Sequence, residues 1–355
     1  MNNVPVPDPH PSSSPAHPSY EDRSTGLIVF GIIQIILGAL AALMVPFMLL
    51  ALALARKTTG ISAPFGTLVL GALTYGTMAA LLVTLGIGSI QARRWAHALT
   101  LVLSWIWLIS GFLITIFITA FLPAGFAQGV RQAAAMNPNA PPMPARAMAI
   151  ILTVMIVFFA VFLIVLPLAF VLFYNTRSVE ETCKHKDPVK RWTDRCPLPV
   201  LAATLVFAGA SAYYLGMSFT TPVIPFFGKY LSGLPGAAAC LTMALMDMLL
   251  AYSFFRLYLA GWWLALATVT ARIISFIVTL RHANMSEMYS RMGWNSSQLQ
   301  MMNANPAYRS GVVLYSSVGT LVIFLGYLVW IRRYFLQPNQ NPDASSKDPS
   351  LLPGT

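Results

Sequence analysis

The stretch AIILTVMIVFFAVFLIVLPLAFVLF, residues 149–173, decides the fold. It contains no charged side chain, and its apolar residues point in every direction around a helix. A membrane-spanning helix needs roughly 20 such residues. A spanning β-strand would be about 10 residues long and would alternate polar with apolar residues. The stretch therefore predicts a transmembrane helix and excludes a β-barrel.

Similar apolar runs recur along the 355 residues. The chain is 57% hydrophobic and only 9% charged, whereas a soluble domain carries roughly 25% charged residues. The predicted fold class is therefore all-α: a polytopic membrane protein, built as a bundle of about eight transmembrane helices. We place the spans at about 26–54, 64–90, 96–122, 147–174, 198–218, 236–256, 259–280 and 310–332.

The chain divides into two apolar halves and three polar segments. These are a disordered Pro/Ser-rich tail (1–25), a first four-helix half (26–175), a basic cytoplasmic linker (176–197), a second four-helix half (198–335) and a disordered tail (336–355). Trp95 and Trp262 each lie near the start of the third apolar run of a half, and VPF at 45–47 resembles IPF at 224–226. A 4+4 tandem repeat would give both halves one orientation. Trp is also common at any span start, so both interpretations stay open.

The Lys and Arg residues predict the orientation. With both termini inside, thirteen of the 22 fall in cytoplasmic segments and eight outside, while Arg272 lies within a span. We therefore predict a multi-pass protein of the cell membrane, the inner membrane if the source is bacterial, with both termini cytoplasmic. The net charge of +11 is spread over the ends of the apolar runs, which favours contact with anionic lipid headgroups over nucleic acid.

The linker contains the sequence CKHKDPVKRWTDRC, residues 183–196. Cys183, His185 and Cys196 are candidate metal ligands, but Cys-x-His is not a common zinc spacing. A disulfide is disfavoured because a cytoplasmic loop is kept reduced. We interpret the segment as a solvated basic linker whose lysines and arginines face the anionic headgroups of the bilayer.

Two charges lie inside apolar runs. Asp247 falls near the middle of the sixth run and Arg272 within the seventh. A charge at that depth costs several kcal/mol unless it is paired or hydrated. Counted from a turn near Tyr258, their depths differ by about 4–5 Å, within reach of an arginine side chain. We predict an ion pair, acting either as a structural contact or as a substrate or proton site.

The sequence shows no nucleophile elbow, phosphate-binding loop or paired-histidine metal motif, so we expect neither an enzyme nor a cofactor. Our first hypothesis is a small-solute transporter or permease that uses Asp247 and Arg272. The second is a non-catalytic membrane scaffold or sensor that binds a partner, and the third is an intramembrane enzyme. A cavity reaching Asp247 would favour transport, whereas a dry, paired Asp247 would favour a structural role. A general similarity to small bacterial integral membrane proteins carries no function.

Overall fold

The computed structural model of the chain describes residues 21–59, 65–136, 143–308 and 310–336. Within them the chain is almost entirely helical, with one small two-stranded sheet. The first half contains α1 (Ser24–Thr59), α2 (Phe65–Ile90), α3 (Arg94–Met136), α4 (Ala145–Ala160), a π-helical segment (Val161–Val165) and α5 (Leu166–Tyr174). The connection to the second half contains α6 (Arg177–Lys186) and a 3-10 turn (Trp192–Arg195).

The second half begins with α7 and continues through a β-hairpin. Its elements are α7 (Leu198–Thr220), β1 (Ile224–Phe226), β2 (Lys229–Leu231), α8 (Gly233–Phe255), α9 (Leu259–His282), α10 (Met285–Arg291), α11 (Ser296–Ala304), a 3-10 turn (Pro306–Tyr308), α12 (Ser310–Ile331) and α13 (Arg333–Leu336). The strands pair antiparallel, with Ile224 opposite Leu231. Phe227 and Gly228 both have positive φ at the turn (39° and 96°), as a tight two-residue hairpin turn requires.

Among the described residues, eight helical segments are long and apolar enough to cross a membrane, which confirms the predicted fold class. They are Ser24–Leu54, Leu68–Ile90, Arg94–Arg131, Ala145–Tyr174, Leu198–Thr220, Gly233–Phe255, Leu259–His282 and Gly311–Leu336. The third extends furthest beyond its predicted bounds of 96–122 because α3 continues through Pro123. The predicted disordered tails lie outside the described residues, except for residues 21–25 and 336.

The fourth span is interrupted where Pro167 follows the π-helical segment. Proline has no N–H, so it cannot donate the usual α-helical hydrogen bond to the carbonyl of Leu163, four residues earlier. That carbonyl points at α3: a Cβ added to Gly111 would lie 2.0 Å from the Leu163 oxygen. Only a glycine allows this close approach, so Gly111 sets the packing between the third and fourth spans.

The largest buried apolar cluster lies in the second half, among α7, α8, α9 and α12. Phe207 and Phe254 meet edge to face within it, with ring centroids 5.2 Å apart. Trp262 Nε1 donates to the Leu328 carbonyl at 2.7 Å and so joins α9 to α12. A smaller cluster in the first half surrounds Tyr174 and includes residues of α1, α5 and α6.

The two halves differ at one of the stretches that suggested a tandem repeat. His97 in α3 bonds the Tyr174 carbonyl through Nε2 at 2.9 Å, and Trp262 in α9 donates to the Leu328 carbonyl, but the sequence aligns Trp262 with Trp95 and not with His97. The stretches at 45–47 and 224–226, however, adopt a helix and a strand, respectively. The duplication stays a prediction.

The bundle has two distinct ends. We call one the basic end, formed by residues 21–24, 91–94, 175–197, 256–258 and 332–336, and the other the hairpin end, formed by residues 221–232 and 283–308. At the basic end the Arg23 N–H donates to Thr182 Oγ1 at 3.2 Å. Trp192 lies 6.1 Å from Phe255, centroid to centroid. The connection expected to be solvated is thus folded against both halves, with Val179 and Thr193 buried.

Candidate functional site

The structure brings Asp247 and Arg272 together. Arg272 Nη2 donates to Asp247 Oδ1 at 2.6 Å. The Asp247 side chain is fully buried, and the Arg272 side chain is 19% exposed. Since α8 and α9 form a hairpin turning near Tyr258, the two residues lie at depths that differ little enough for the arginine side chain to bridge, as the sequence predicted.

Arg272 also links α9 to its other neighbours. Its guanidinium carbon lies 5.5 Å from the centroid of the Tyr214 ring on α7. On the same face of α9, Ser275 Oγ accepts from the Phe227 N–H and Thr279 Oγ1 accepts from the Gly228 N–H, each at 3.0 Å. This face of α9 therefore holds α7, α8 and the β-hairpin in place.

The ion pair is mostly buried but incompletely bonded. Asp247 Oδ2 and Arg272 Nε are buried and have no hydrogen-bond partner among the described residues. Asp247 lines neither of the two cavities described below. A direct, buried pair is what a structural role requires, whereas the two unpartnered atoms leave one acceptor and one donor available inside the span.

The three candidate metal ligands do not form a ligand set. Cys183 and Cys196 are buried free thiols, and His185 lies on the exposed side of α6. Burial raises the pKa of each thiol to about 12, so neither is a reactive thiolate near neutral pH. Across the described ranges, no group of three or more His, Cys, Asp or Glu side chains could hold a metal ion.

A cavity of about 1030 Å³ lies at the basic end, where the two halves meet. Its walls come from the start of α3, the end of α5, α6, the 3-10 turn and the start of α7. Five of the lining side chains are basic: Arg94, Lys184, Lys190, Arg191 and Arg195. Two, Glu180 and Asp194, are acidic. Sequence reasoning missed this cavity, although the density of basic residues between 184 and 195 was its signal.

Ion pairs hold the walls of this cavity in place. Arg94 meets Asp194 at 3.4 Å, and Arg191 meets the buried Asp187 at 3.2 Å. Burial alone would raise the pKa of Asp187, but the hydrogen bonds from Arg191 and from the Arg94 N–H outweigh it, and the pKa is lowered. Lys184 pairs with Glu180 and thereby lowers the pKa of that carboxyl.

Two polar groups of the cavity wall remain without a partner in the described part of the chain. Thr193 is 2% exposed, and its hydroxyl makes no hydrogen bond. Arg195 is exposed at the rim and makes neither an ion pair nor a hydrogen bond there. The Arg195 guanidinium thus has donors available at the cavity rim, whereas the Thr193 hydroxyl is buried within the wall.

No protein-family model matches the chain, and comparisons with curated proteins and with solved structures gave no match. The eight apolar spans define the class: this is a multi-pass membrane protein in contact with a lipid bilayer.

Proposed function

We propose that the protein is a non-catalytic membrane scaffold or sensor that binds an anionic ligand at its basic end. The observation that carries this proposal is the cavity of about 1030 Å³, with five basic and two acidic lining side chains. Ligand pockets of 300–1,000 Å³ are typical for small molecules. A positive lining raises the local concentration of anions and orients them.

The basic end is also proposed to face the cytoplasm and the anionic headgroups of the inner leaflet, in the cell membrane. The distribution of Lys and Arg supports this orientation. Trp192 supports a position at the headgroup level, because it is 46% exposed beside the cavity and Trp favours that interface.

Orientation is testable with cysteine labelling, but not through the native thiols, since Cys183 and Cys196 are buried. We would replace all three cysteines by alanine and introduce Val189→Cys at the basic end, where Val189 is 58% exposed. The matched probe is Lys229→Cys, at the exposed turn of the hairpin end. An impermeant maleimide on intact cells should label only the second. Labelling of only the first would reverse the orientation.

Binding is testable on the full chain in dodecyl maltoside, a detergent without charge. The thermal unfolding midpoint should rise with added anionic amphiphiles and should rise less for the double variant Lys184→Gln, Arg195→Gln. Arg256→Gln is the matched control, because Arg256 is an exposed cation of the basic end outside the cavity. If the unfolding midpoints of the wild type, the double variant and Arg256→Gln all rose equally, the effect would be due to general surface charge. That result would overturn the proposal.

A second candidate is transport of a small anionic solute. It is supported by the two unpartnered atoms of the Asp247–Arg272 pair within the spans, because intramembrane charges often mark solute pathways. Arg272 would contact the solute and Asp247 would orient it. The test is uptake of organic anions into proteoliposomes. If uptake is lost in the variant Arg272→Gln but retained in the double variant Lys184→Gln, Arg195→Gln, transport becomes the preferred function over ligand binding at the basic end.

A further inference from the structure

We propose that arginines and indoles at the basic ends of the seventh and eighth spans form a binding site for an anionic phospholipid. We call this surface the Arg/Trp patch, and it consists of Trp262, Trp263, Trp330, Arg332 and Arg333. None of these residues lines the cavity at the basic end. The inference therefore goes beyond the anionic ligand of that cavity and does not depend on it.

The Arg/Trp patch lies about one turn inside two adjoining spans. Trp262 and Trp263 are the fourth and fifth residues of the seventh span, and Arg332 and Arg333 are the fifth and fourth from the end of the eighth. One helical turn is about 5 Å long. In a spanning helix this depth is close to the headgroups, where tryptophan is enriched and long cationic side chains reach the interface.

Both arginines are held by aromatic rings. The Arg332 guanidinium carbon lies 5.3 Å from the centroid of the Trp262 ring and 5.8 Å from that of Trp263. The Arg333 guanidinium carbon lies 4.5 Å from the centroid of the Trp330 ring. A cation over the face of a ring is attracted by the ring's quadrupole. The rings thus position each guanidinium without occupying its N–H donors.

The charges of the patch are not neutralised by carboxylates. In the described part of the chain neither arginine has an acidic partner, and the side-chain hydrogen bond is from Arg333 Nη2 to the Tyr334 hydroxyl at 3.2 Å. Each guanidinium has five N–H donors, so most remain available. Many cations of the linker, by contrast, do pair with carboxylates: Arg177, Lys184, Lys186 and Arg191.

The surface next to the patch favours a phospholipid over a soluble anion. Val322 and Val329, and likewise Ile323 and Trp330, are seven residues apart and therefore share a face of α12. All four are 49–56% exposed, and only 6% of the apolar core of the eighth span is buried inside the protein. Acyl chains would lie along this face while the phosphate accepts from the arginines. A net negative headgroup is preferred because the patch carries two uncompensated positive charges.

The experiment measures lipid binding to the full chain in dodecyl maltoside by native mass spectrometry. One arm adds phosphatidylglycerol, a second adds phosphatidylcholine with the same acyl chains, and a third adds glycerol 3-phosphate, which has no chains. The first variant is Arg332→Gln, Arg333→Gln. The second is Trp330→Leu, which keeps both charges but removes a ring that holds one of them. Since these side chains are exposed, the variants should remain folded.

Two controls separate this surface from the rest of the basic end. Arg256→Gln removes an exposed arginine that also lies over a ring, 5.6 Å from the centroid of Tyr252, but outside the patch. The double variant Lys184→Gln, Arg195→Gln changes only the cavity lining. The second control makes failure of this inference distinguishable from failure of the proposed function.

We expect phosphatidylglycerol to bind at least about tenfold tighter than phosphatidylcholine. The double arginine variant should lose about tenfold in affinity and Trp330→Leu about threefold, whereas both controls should bind as the wild type does. An equal loss in Arg256→Gln and in the double arginine variant would reduce the effect to general surface charge and overturn the inference. Glycerol 3-phosphate binding as tightly as the lipid would also overturn it. Loss of lipid binding in the cavity variant alone would overturn it and leave the proposed function standing.

Discussion

Both halves of the molecule carry a buried polar contact inside their spans, but the two contacts differ in charge. In the first half, Gln34 Nε2 on α1 donates to Thr100 Oγ1 on α3 at 3.2 Å. In the second half, Arg272 on α9 donates to Asp247 on α8 at 2.6 Å. Each contact leaves an acceptor without a partner among the described residues: Gln34 Oε1 and Asp247 Oδ2.

Both contacts are buried side-chain hydrogen bonds between spans, but they should differ in how much stability the protein loses when one partner is removed. An amide that loses its partner exposes a dipole to an apolar environment, whereas an arginine that loses its carboxylate leaves a full charge there. The second half should therefore depend far more on its polar pair than the first half does. Four predictions follow this contrast, from the largest effect to the smallest.

Asp247→Asn should destabilise the protein by about 3–5 kcal/mol, because it leaves the mostly buried Arg272 without a counter-charge. Unfolding of the purified protein in bicelles would measure the loss. The double change with Arg272→Gln should recover much of it, because no charge then remains in the span. Simple addition of the two single effects would show that these residues do not interact.

Gly111→Ala should cost about 1–3 kcal/mol or more, because the new Cβ would lie 2.0 Å from the Leu163 carbonyl oxygen and the helices would have to separate. The matched control is Gly319→Ala in α12, the uninterrupted fourth span of the second half, where an added Cβ meets nothing within 4 Å. Bicelle unfolding of both variants would test this. Equal losses would mean that the interrupted fourth span does not require close contact with α3.

Trp262→Phe should cost about 1–2 kcal/mol, since the ring stays but its N–H no longer satisfies the Leu328 carbonyl. Trp263→Phe is the neighbouring control: Trp263 is 53% exposed, whereas Trp262 is 3% exposed. Thermal unfolding midpoints should fall for the first variant and stay nearly constant for the second. A smaller loss at 262 than at 263 would contradict the proposed role of this bond in joining α9 to α12.

Gln34→Met should change stability by about 1 kcal/mol or less, in either direction. It removes the hydrogen bond to Thr100 but also the unpartnered Oε1, and Met fits irregular space well. The side chain borders a cavity of about 40 Å³ that also contacts Leu85 and Phe170. A loss above about 2 kcal/mol would show that the amide binds something in that cavity, such as a water molecule.

The spans and the charge pair were predictable because each depends on local sequence. Lipid requires a continuous apolar run of helical length, so hydropathy alone located all eight segments. The Asp247–Arg272 pair followed from residue counts on either side of one turn, with no information about distant elements. Helix geometry converts such counts into depth.

The cavity and the folded linker were not predictable in the same way. Asp187 reads as a solvated residue in the sequence, yet it is buried, and it accepts from the N–H of Arg94, 93 residues earlier, at 3.4 Å. Nothing in the local pattern around Asp187 specifies that partner. The β-hairpin did have a local signal, the turn at Phe227 and Gly228, but its strands are only three residues each.

The contact between Arg94 and the linker also has a consequence for biogenesis. Arg94 enters the membrane region with the start of the third span, but Asp187 and Asp194 are made only after the fourth span is complete. During synthesis a nascent chain ending at residue 175 contains every helix of the first half and still lacks these carboxylates. We expect such a truncated chain to be held by insertion factors or degraded, so that the first half matures only after the ribosome has translated the segment joining it to the second.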